Sequence, residues 1–222
     1  MNRVCLQSPV RRPSHGRRWG LARRSAWGWA RIAAVGGSLL LGSVAVQAHG
    51  PLGEDLARLE IALQRRPEDP VLRLHRAELL RLDGKASAAL MDLAAAERLN
   101  PVPERVWWIR GRLLLELDRP REALADLNRW LERHPDHGEA LLARARVHEA
   151  LGCFADGVAD CDRFLRQPGD SDPEPYLIRA RLQRQRGADH WPEALAGVEQ
   201  GLARLGPLVV LHLEALELER QM

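Results

Sequence analysis

The sequence predicts an all-α protein built by stacking helix hairpins, and three observations indicate this architecture. Only 5% of the residues are aromatic, and Leu, Ala and Arg dominate the composition, which favours helices over strands. Apolar residues recur at helical spacing in two adjacent segments, Val106 to Leu117 and Arg121 to Leu131, with a breaker at 118–120 between them. Displacing the sequence by 34 residues superposes similar segments on each other. A single hairpin cannot bury its own apolar faces, so copies must lie on either side of it.

The first helix in order spans Leu52 to Arg66, where leucines recur on one face and Pro67 follows. It resembles the second half of a hairpin and is predicted to cap the N-terminal end of the stack. Four hairpins follow it. The first runs from Val71 through the turn at 83–84 to Leu99, and the second from Glu104 to Pro135.

The third hairpin runs from Glu139 through a turn at 151–152 to Leu165. The fourth begins near Pro175, and its turn at 187–192 is about two residues longer than the others, by the turn signals of Gly and Pro. After Pro207, the segment 208–220 aligns with a further first helix and is expected to seal the C-terminal end of the stack.

Small residues recur where the two helices of each hairpin should approach each other. Larger side chains there would force the helices apart. In the first helices these residues are Ala77, Gly111, Ala145 and Ala180, and in the second helices Ala89, Ala123, Gly157 and Ala194.

The hairpin at 104–135 resembles a tetratricopeptide repeat (TPR), the 34-residue unit with large and small residues at fixed positions in two helices and a Pro after them. The residues that carry the resemblance are Trp107, Gly111, Leu114, Ala123, Leu127 and Pro135. The resemblance extends over residues 52–222. It implies a right-handed superhelical solenoid of antiparallel helix pairs, with about four full repeats and a capping helix at each end. It also implies a protein-interaction scaffold whose first helices line a concave groove.

A charged pair recurs in step with the hairpins. Arginines at one position of each first helix are matched, in three hairpins, by an aspartate 16 residues later, and Gly197 replaces the acid in the fourth. Because the charges occur as pairs, we expect ion pairs that join helices rather than a ligand site. The arginines are Arg76, Arg110, Arg144 and Arg179, and the aspartates are Asp92, Asp126 and Asp160.

Eight residues are predicted to face the groove, four apolar and four charged. They could bind an extended or helical partner peptide with acidic and apolar side chains, or they could simply be solvated. Trp108 is the preferred anchor, since exposed Trp and Arg contribute strongly to interfaces. The eight are Leu74, Glu78, Trp108, Arg112, Leu142, Arg146, Leu177 and Arg181.

A metal-handling function is the alternative, with copper as the candidate ion. The loop after the second hairpin contains His134, Asp136 and His137, residue types that can bind a metal. His49 would be the N-terminal residue after the cleavage considered below, and its amine and ring could chelate copper. A loop of this composition is also common as an ordinary turn.

Enzyme activity, cofactors and nucleic-acid binding are not predicted. The sequence has no Cys-x-x-Cys pair, nucleophile elbow, Gly-rich phosphate loop or HExxH motif. Eight arginines and no acidic residue precede position 48, so residues 49–222 carry 25 basic and 30 acidic side chains, a net charge of −5. The basic character therefore belongs to the leader and does not indicate a nucleic-acid surface.

The leader, residues 1–48, has the layout of a secretory signal. Its Arg-rich start is followed by an uncharged run from Ile32 to Ala48, with small residues at Val46 and Ala48. We expect cleavage after Ala48, or an uncleaved inner-membrane anchor, because the run is near the lower length limit for a spanning helix. Either case places the domain at 49–222 outside the cytoplasm, in the periplasm or cell envelope. Membrane contact is expected only through an uncleaved leader.

Overall fold

The computed structural model describes residues 51–168 and 172–222, so the predicted leader and His49 lie outside the described residues. Within those two ranges the chain forms ten α-helices and one short 3-10 helix, Ala188–His190. None of these helices is both long and apolar enough to cross a bilayer. The α-helices are α1 (Pro51–Arg65), α2 (Pro70–Leu82), α3 (Ala86–Glu97), α4 (Arg105–Glu116), α5 (Pro120–Arg133), α6 (Gly138–Leu151), α7 (Phe154–Leu165), α8 (Glu174–Arg186), α9 (Trp191–Leu205) and α10 (Val209–Gln221).

The helix ends follow local sequence signals. Asp69 caps α2 by accepting hydrogen bonds from the backbone N–H groups of Val71 and Leu72, at 3.0 and 3.2 Å. Gly152 ends α6 in the left-handed conformation, at φ 74°, which a residue without a side chain adopts at little cost. The 3-10 helix between α8 and α9 occupies the turn that the sequence predicts to be longer.

Consecutive helices pack as antiparallel pairs, and the pairs stack. The pairs are α2 with α3, α4 with α5, α6 with α7, and α8 with α9. The first helices α2, α4, α6 and α8 also contact each other in succession, while α1 packs on α2 and α10 packs on α9. This arrangement confirms the predicted all-α solenoid of four hairpins with a further helix at each end.

The core runs along the stack between the helices. One cluster of buried apolar residues extends from α2 to α8, and a second joins α8, α9 and α10 around Tyr176 and Leu211. Close approach within a hairpin depends on small residues: a Cβ added to Gly111 would lie 2.9 Å from the Cγ of Leu127, which is fully buried. The packing therefore requires the small residues where the repeat pattern places them.

Candidate partner-binding groove

The predicted Arg–Asp pairs join the two helices of three hairpins. Each guanidinium donates two hydrogen bonds to one carboxylate, and the three aspartates are only 4–5% exposed. The bonds measure 2.7 Å for both contacts of Arg76 with Asp92, 2.7 and 2.9 Å for Arg110 with Asp126, and 2.8 and 2.6 Å for Arg144 with Asp160. The expectation that these pairs are structural is confirmed.

Arg110 and Arg144 also donate hydrogen bonds to the second helix of the preceding hairpin, a contact that the sequence analysis did not predict. Arg110 donates to Glu97 at 3.0 Å, and this bond lowers the pKa of the Glu97 carboxyl. Arg144 donates to Asn128 at 2.8 Å. One guanidinium therefore holds three helices together, which fixes the angle at which successive hairpins stack.

Arg179 differs from the other three arginines, as the sequence predicts from Gly197. Its guanidinium donates to Asp162 at 3.0 Å and to Gln200 at 2.8 Å. A Cβ added to Gly197 would lie 2.7 Å from the Arg179 Nη2 atom, so the guanidinium fills the space in which the other hairpins hold the aspartate.

Two neighbouring pockets lie along the row of first helices. A pocket of 410 Å³ between α2 and α4 is lined by Val71, Leu74, His75, Glu78, Arg105 and Ile109. A pocket of 330 Å³ begins beside α4 and reaches the start of α8, and Trp108, Arg112, Leu142 and Arg146 line it. Six of the eight residues predicted to face the groove therefore line these pockets. Leu177, which is half-buried, and Arg181, which is exposed, line neither.

Trp108 is a core residue, so the expectation that its side chain is exposed is wrong. Only 7% of its surface is accessible, and its ring lies 4.9 Å from the ring of His137 and 6.4 Å from that of Trp130. The Arg112 guanidinium covers it at 5.0 Å from the ring centroid. Leu74 and Leu142 are each 8% exposed, because the first helices pack closely side by side. The apolar stripe therefore forms the floor of the pockets instead of a projecting surface.

The three arginines predicted to face the groove are all ion-paired, so the positive charge that they bring to it is largely neutralised. Arg112 donates to Glu78 at 3.3 Å, and Arg146 forms an ion pair with Glu174. Arg181 donates two hydrogen bonds to Glu149, at 2.6 and 3.0 Å, which raise the pKa of Arg181.

These pairs connect neighbouring first helices, and their spacing was available in the sequence. Glu78 precedes Arg112 by 34 residues, and Glu149 precedes Arg181 by 32. A search for opposite charges about one repeat apart would have found them. The groove that results is a row of ion pairs over an apolar floor.

Comparisons with known proteins agree with this geometry. A sequence model of the tetratricopeptide repeat matches residues 103–147, the segment that contains α4, α5 and most of α6. The crystal structure of a tetratricopeptide repeat protein from Parabacteroides merdae superposes with a TM-score of 0.63 and 21% identity, covering 75% of this chain and 65% of that one. The chain contains a tetratricopeptide repeat and has the TPR fold.

Two further solved structures share this fold, and one further protein is similar in sequence. PilF of Pseudomonas aeruginosa superposes with a TM-score of 0.60 and 18% identity, covering 75% of this chain and 72% of that one. PilW, described as a widely conserved type IV pilus biogenesis factor, gives a TM-score of 0.59 and 22% identity over 76% of this chain and 85% of that one. FlbA of Caulobacter vibrioides is 26% identical over 147 residues, which cover 60% of the TPR chain and 25% of FlbA.

The side chains of the loop at 134–137 pack against α5 and cap the start of α6. The His134 ring lies 3.9 Å from that of Trp130, and the Nδ1 atom of His137 accepts a hydrogen bond from the backbone N–H of Ala140 at 3.1 Å, which caps α6. Asp136 accepts hydrogen bonds from Arg163. Both histidine rings contact Trp130, Asp136 binds Arg163, and the ligand atoms of the three residues are not grouped around a common point, so the structure does not support the metal alternative at this loop. Burial lowers the pKa of His137.

Proposed function

We propose that this TPR protein is an exported scaffold that binds a partner polypeptide in the groove of its first helices and carries out no chemistry itself. The observation that carries the proposal is the pair of adjacent pockets, of 410 and 330 Å³, along the row of first helices. Pockets of this size accept side chains of a bound segment. An apolar floor beneath paired charges can bury apolar side chains of the partner while its rim orients polar groups.

The proposed binding residues are those that line the pockets or border them. Arg146 is the most suitable one to test, since its side chain is 40% exposed and lines the pocket at Trp108. Leu177 and Arg181 extend the same row on α8 and remain part of the proposal. Trp108 contributes to the pocket floor.

The proposed location is the periplasm or the cell envelope. Its support is the leader, in which eight arginines and no acidic residue precede position 48 and the uncharged run at 32–48 follows. The proposed domain boundary follows cleavage after Ala48, and retention of the leader as an inner-membrane anchor would leave the TPR array on the same side.

The experiment is a crosslinking pull-down from the native cell envelope with the tagged full chain. Wild type, Arg146→Glu and the matched control Arg166→Glu are compared, since Arg166 is an exposed arginine on the second-helix side. A partner that is recovered with wild type and the control but lost with Arg146→Glu supports the groove. Equal recovery with all three proteins contradicts it. N-terminal sequencing of the recovered chain tests the leader, because cleavage predicts a chain that begins at His49.

A further inference from the structure

A cleft of 610 Å³ lies between α1 and α3 on the side of the stack away from the groove, with α2 as its floor. Most of the side chains that α3 contributes to its wall are short. At the positions where α5 carries Glu122 and Arg129, one repeat later, α3 has Ala88 and Ala95. Ala94 also lines this wall. The short side chains leave a space of the size of a ligand pocket between the two helices.

The contact that closes the corresponding space in other repeats is weak here. Arg144 donates to Asn128 at 2.8 Å and Arg179 to Asp162 at 3.0 Å. The equivalent contact of Arg76, to Glu60 on α1, is 3.9 Å long. This distance is too long for a hydrogen bond, so α1 is held less tightly to the stack than the later second helices are.

The lining of the cleft combines apolar and positive groups. Arg73, Arg76, Lys85 and Arg98 face it together with two acids, Glu60 and Asp92. Asp92 already receives both hydrogen bonds of Arg76. Two of the other bases are also ion-paired: the Arg73 Nη1 atom lies 3.7 Å from Asp92, and Lys85 lies 2.7 Å from Asp83. Within the described residues, the Arg98 side chain is not in any ion pair or hydrogen bond, and the buried Nε of Arg73 lacks an acceptor.

Apolar contact surface is also present. Leu56 and Leu80 line the cleft, and Met91 at its edge is 74% exposed, a large value for an apolar side chain. Methionine adapts its shape to different partners and is frequent on binding surfaces. The cleft therefore offers an apolar surface bordered by basic side chains, of which Arg98 is the one whose charge is unpaired in the described part of the chain.

We infer that the cleft between α1 and α3 is a docking site for an acidic amphipathic segment of a partner protein, separate from the groove of the first helices. Charge complementarity selects this occupant, because the positive lining attracts acidic side chains and repels basic ones. The leader of this chain carries eight arginines and no acidic residue before position 48, so its charge is opposite to that of the segment the cleft selects. The spacing of two adjacent helices suits a helical segment whose apolar face contacts Met91 and Leu56.

The test is selection from a displayed random peptide library on the immobilised full chain, followed by fluorescence anisotropy with the synthesised peptides. The expected peptides combine Asp or Glu with apolar residues. Reversing the unpaired charge in Arg98→Glu is expected to weaken their binding roughly twofold to fivefold, the range of one exposed charge contact.

Three further variants separate the cleft from other surfaces. Arg166 occupies the position of Arg98 two repeats later, so Arg166→Glu is the matched control and should leave binding unchanged. Ala94→Trp fills the cleft and should abolish binding while the circular dichroism spectrum stays helical. Arg146→Glu, in the groove, should have no effect on these peptides. Selected peptides that are basic, or peptides whose binding survives both Arg98→Glu and Ala94→Trp, overturn the inference and leave the proposed groove function untouched.

Discussion

Arg110 and Asp126 form a two-bond ion pair that joins the helices of the second hairpin, with distances of 2.7 and 2.9 Å. The Asp126 carboxylate is almost fully buried, at 4% exposure. Arg110 also binds Glu97 of the preceding hairpin, and together the two acids raise the pKa of Arg110. The ion pair between Arg110 and Asp126 therefore stabilises both the second hairpin and its packing against the first.

Asp126→Ala should destabilise the fold strongly, because it leaves the guanidinium of Arg110 without its main partner at a site removed from water. Loss of one partner of a buried ion pair typically costs about 3 to 5 kcal/mol, and the remaining bond to Glu97 places the expected loss near the lower value. Urea unfolding followed by circular dichroism measures it. Glu217→Ala removes a solvent-exposed ion pair with Arg220 and serves as the control, for which no resolved change is expected. Equal effects of the two substitutions would contradict the assignment.

Trp108→Ala should act on stability before it acts on binding. The Trp108 ring is buried against Trp130, His137 and the Arg112 guanidinium, so truncation leaves a cavity beneath the groove. Truncation of a buried Trp costs about 3 to 5 kcal/mol. The free energy of unfolding from urea titration measures the loss. Leu216→Ala, on an exposed leucine of α10, is the control, and a similar stability for both variants would show that Trp108 is not part of the core.

The repeat pattern made the packing predictable, because it depends on residues that recur at fixed spacing. The pairing of Asp126 with Arg110 and the different position of Arg179 beside Gly197 both followed from that register. The burial of Trp108 was not predicted, because it depends on how closely neighbouring first helices pack, and Leu74 and Leu142 at the equivalent positions are buried to the same degree. The cleft between α1 and α3 was equally hidden. Ala88 and Ala95 are ordinary helix-forming residues in the sequence, and only the arrangement of the neighbouring helices shows the space they leave.

Stability should decrease as the pH falls from about 8 to about 5.5, and His137 should account for part of the decrease. A free histidine titrates near 6.5, and burial lowers the pKa of His137 in the folded chain. The unfolded chain therefore binds a proton at a higher pH than the folded chain does, so stability is full above the unfolded pKa and is lost as the pH falls through the folded one. Protonation also removes the Nδ1 acceptor that caps α6.

The measurement is the free energy of unfolding across this pH range for wild type and His137→Asn. Asparagine is a favourable N-cap and does not titrate, so the slope with pH should become smaller. Part of the slope should remain in the variant, because burial also lowers the pKa of His148. An unchanged slope in His137→Asn would show that the cap does not respond to pH.

Gly197→Asp should stabilise the fourth hairpin by restoring the acid that the other three hairpins carry. The new Cβ would meet the end of the flexible Arg179 side chain at 2.7 Å, so the guanidinium must shift, as it can, to bind the new carboxylate. Hydrogen bonds to charged groups contribute about 1.5 to 3 kcal/mol, and replacing a helical glycine adds a few tenths more. This gain is reduced by the disturbance of the hydrogen bonds that Arg179 makes to Asp162 and Gln200.

Gly197→Asn has nearly the same shape without the charge, so urea unfolding of both variants isolates the contribution of the ion pair. A Gly197→Asp protein less stable than Gly197→Asn would mean that the existing bonds of Arg179 are worth more than the pair that the other hairpins use.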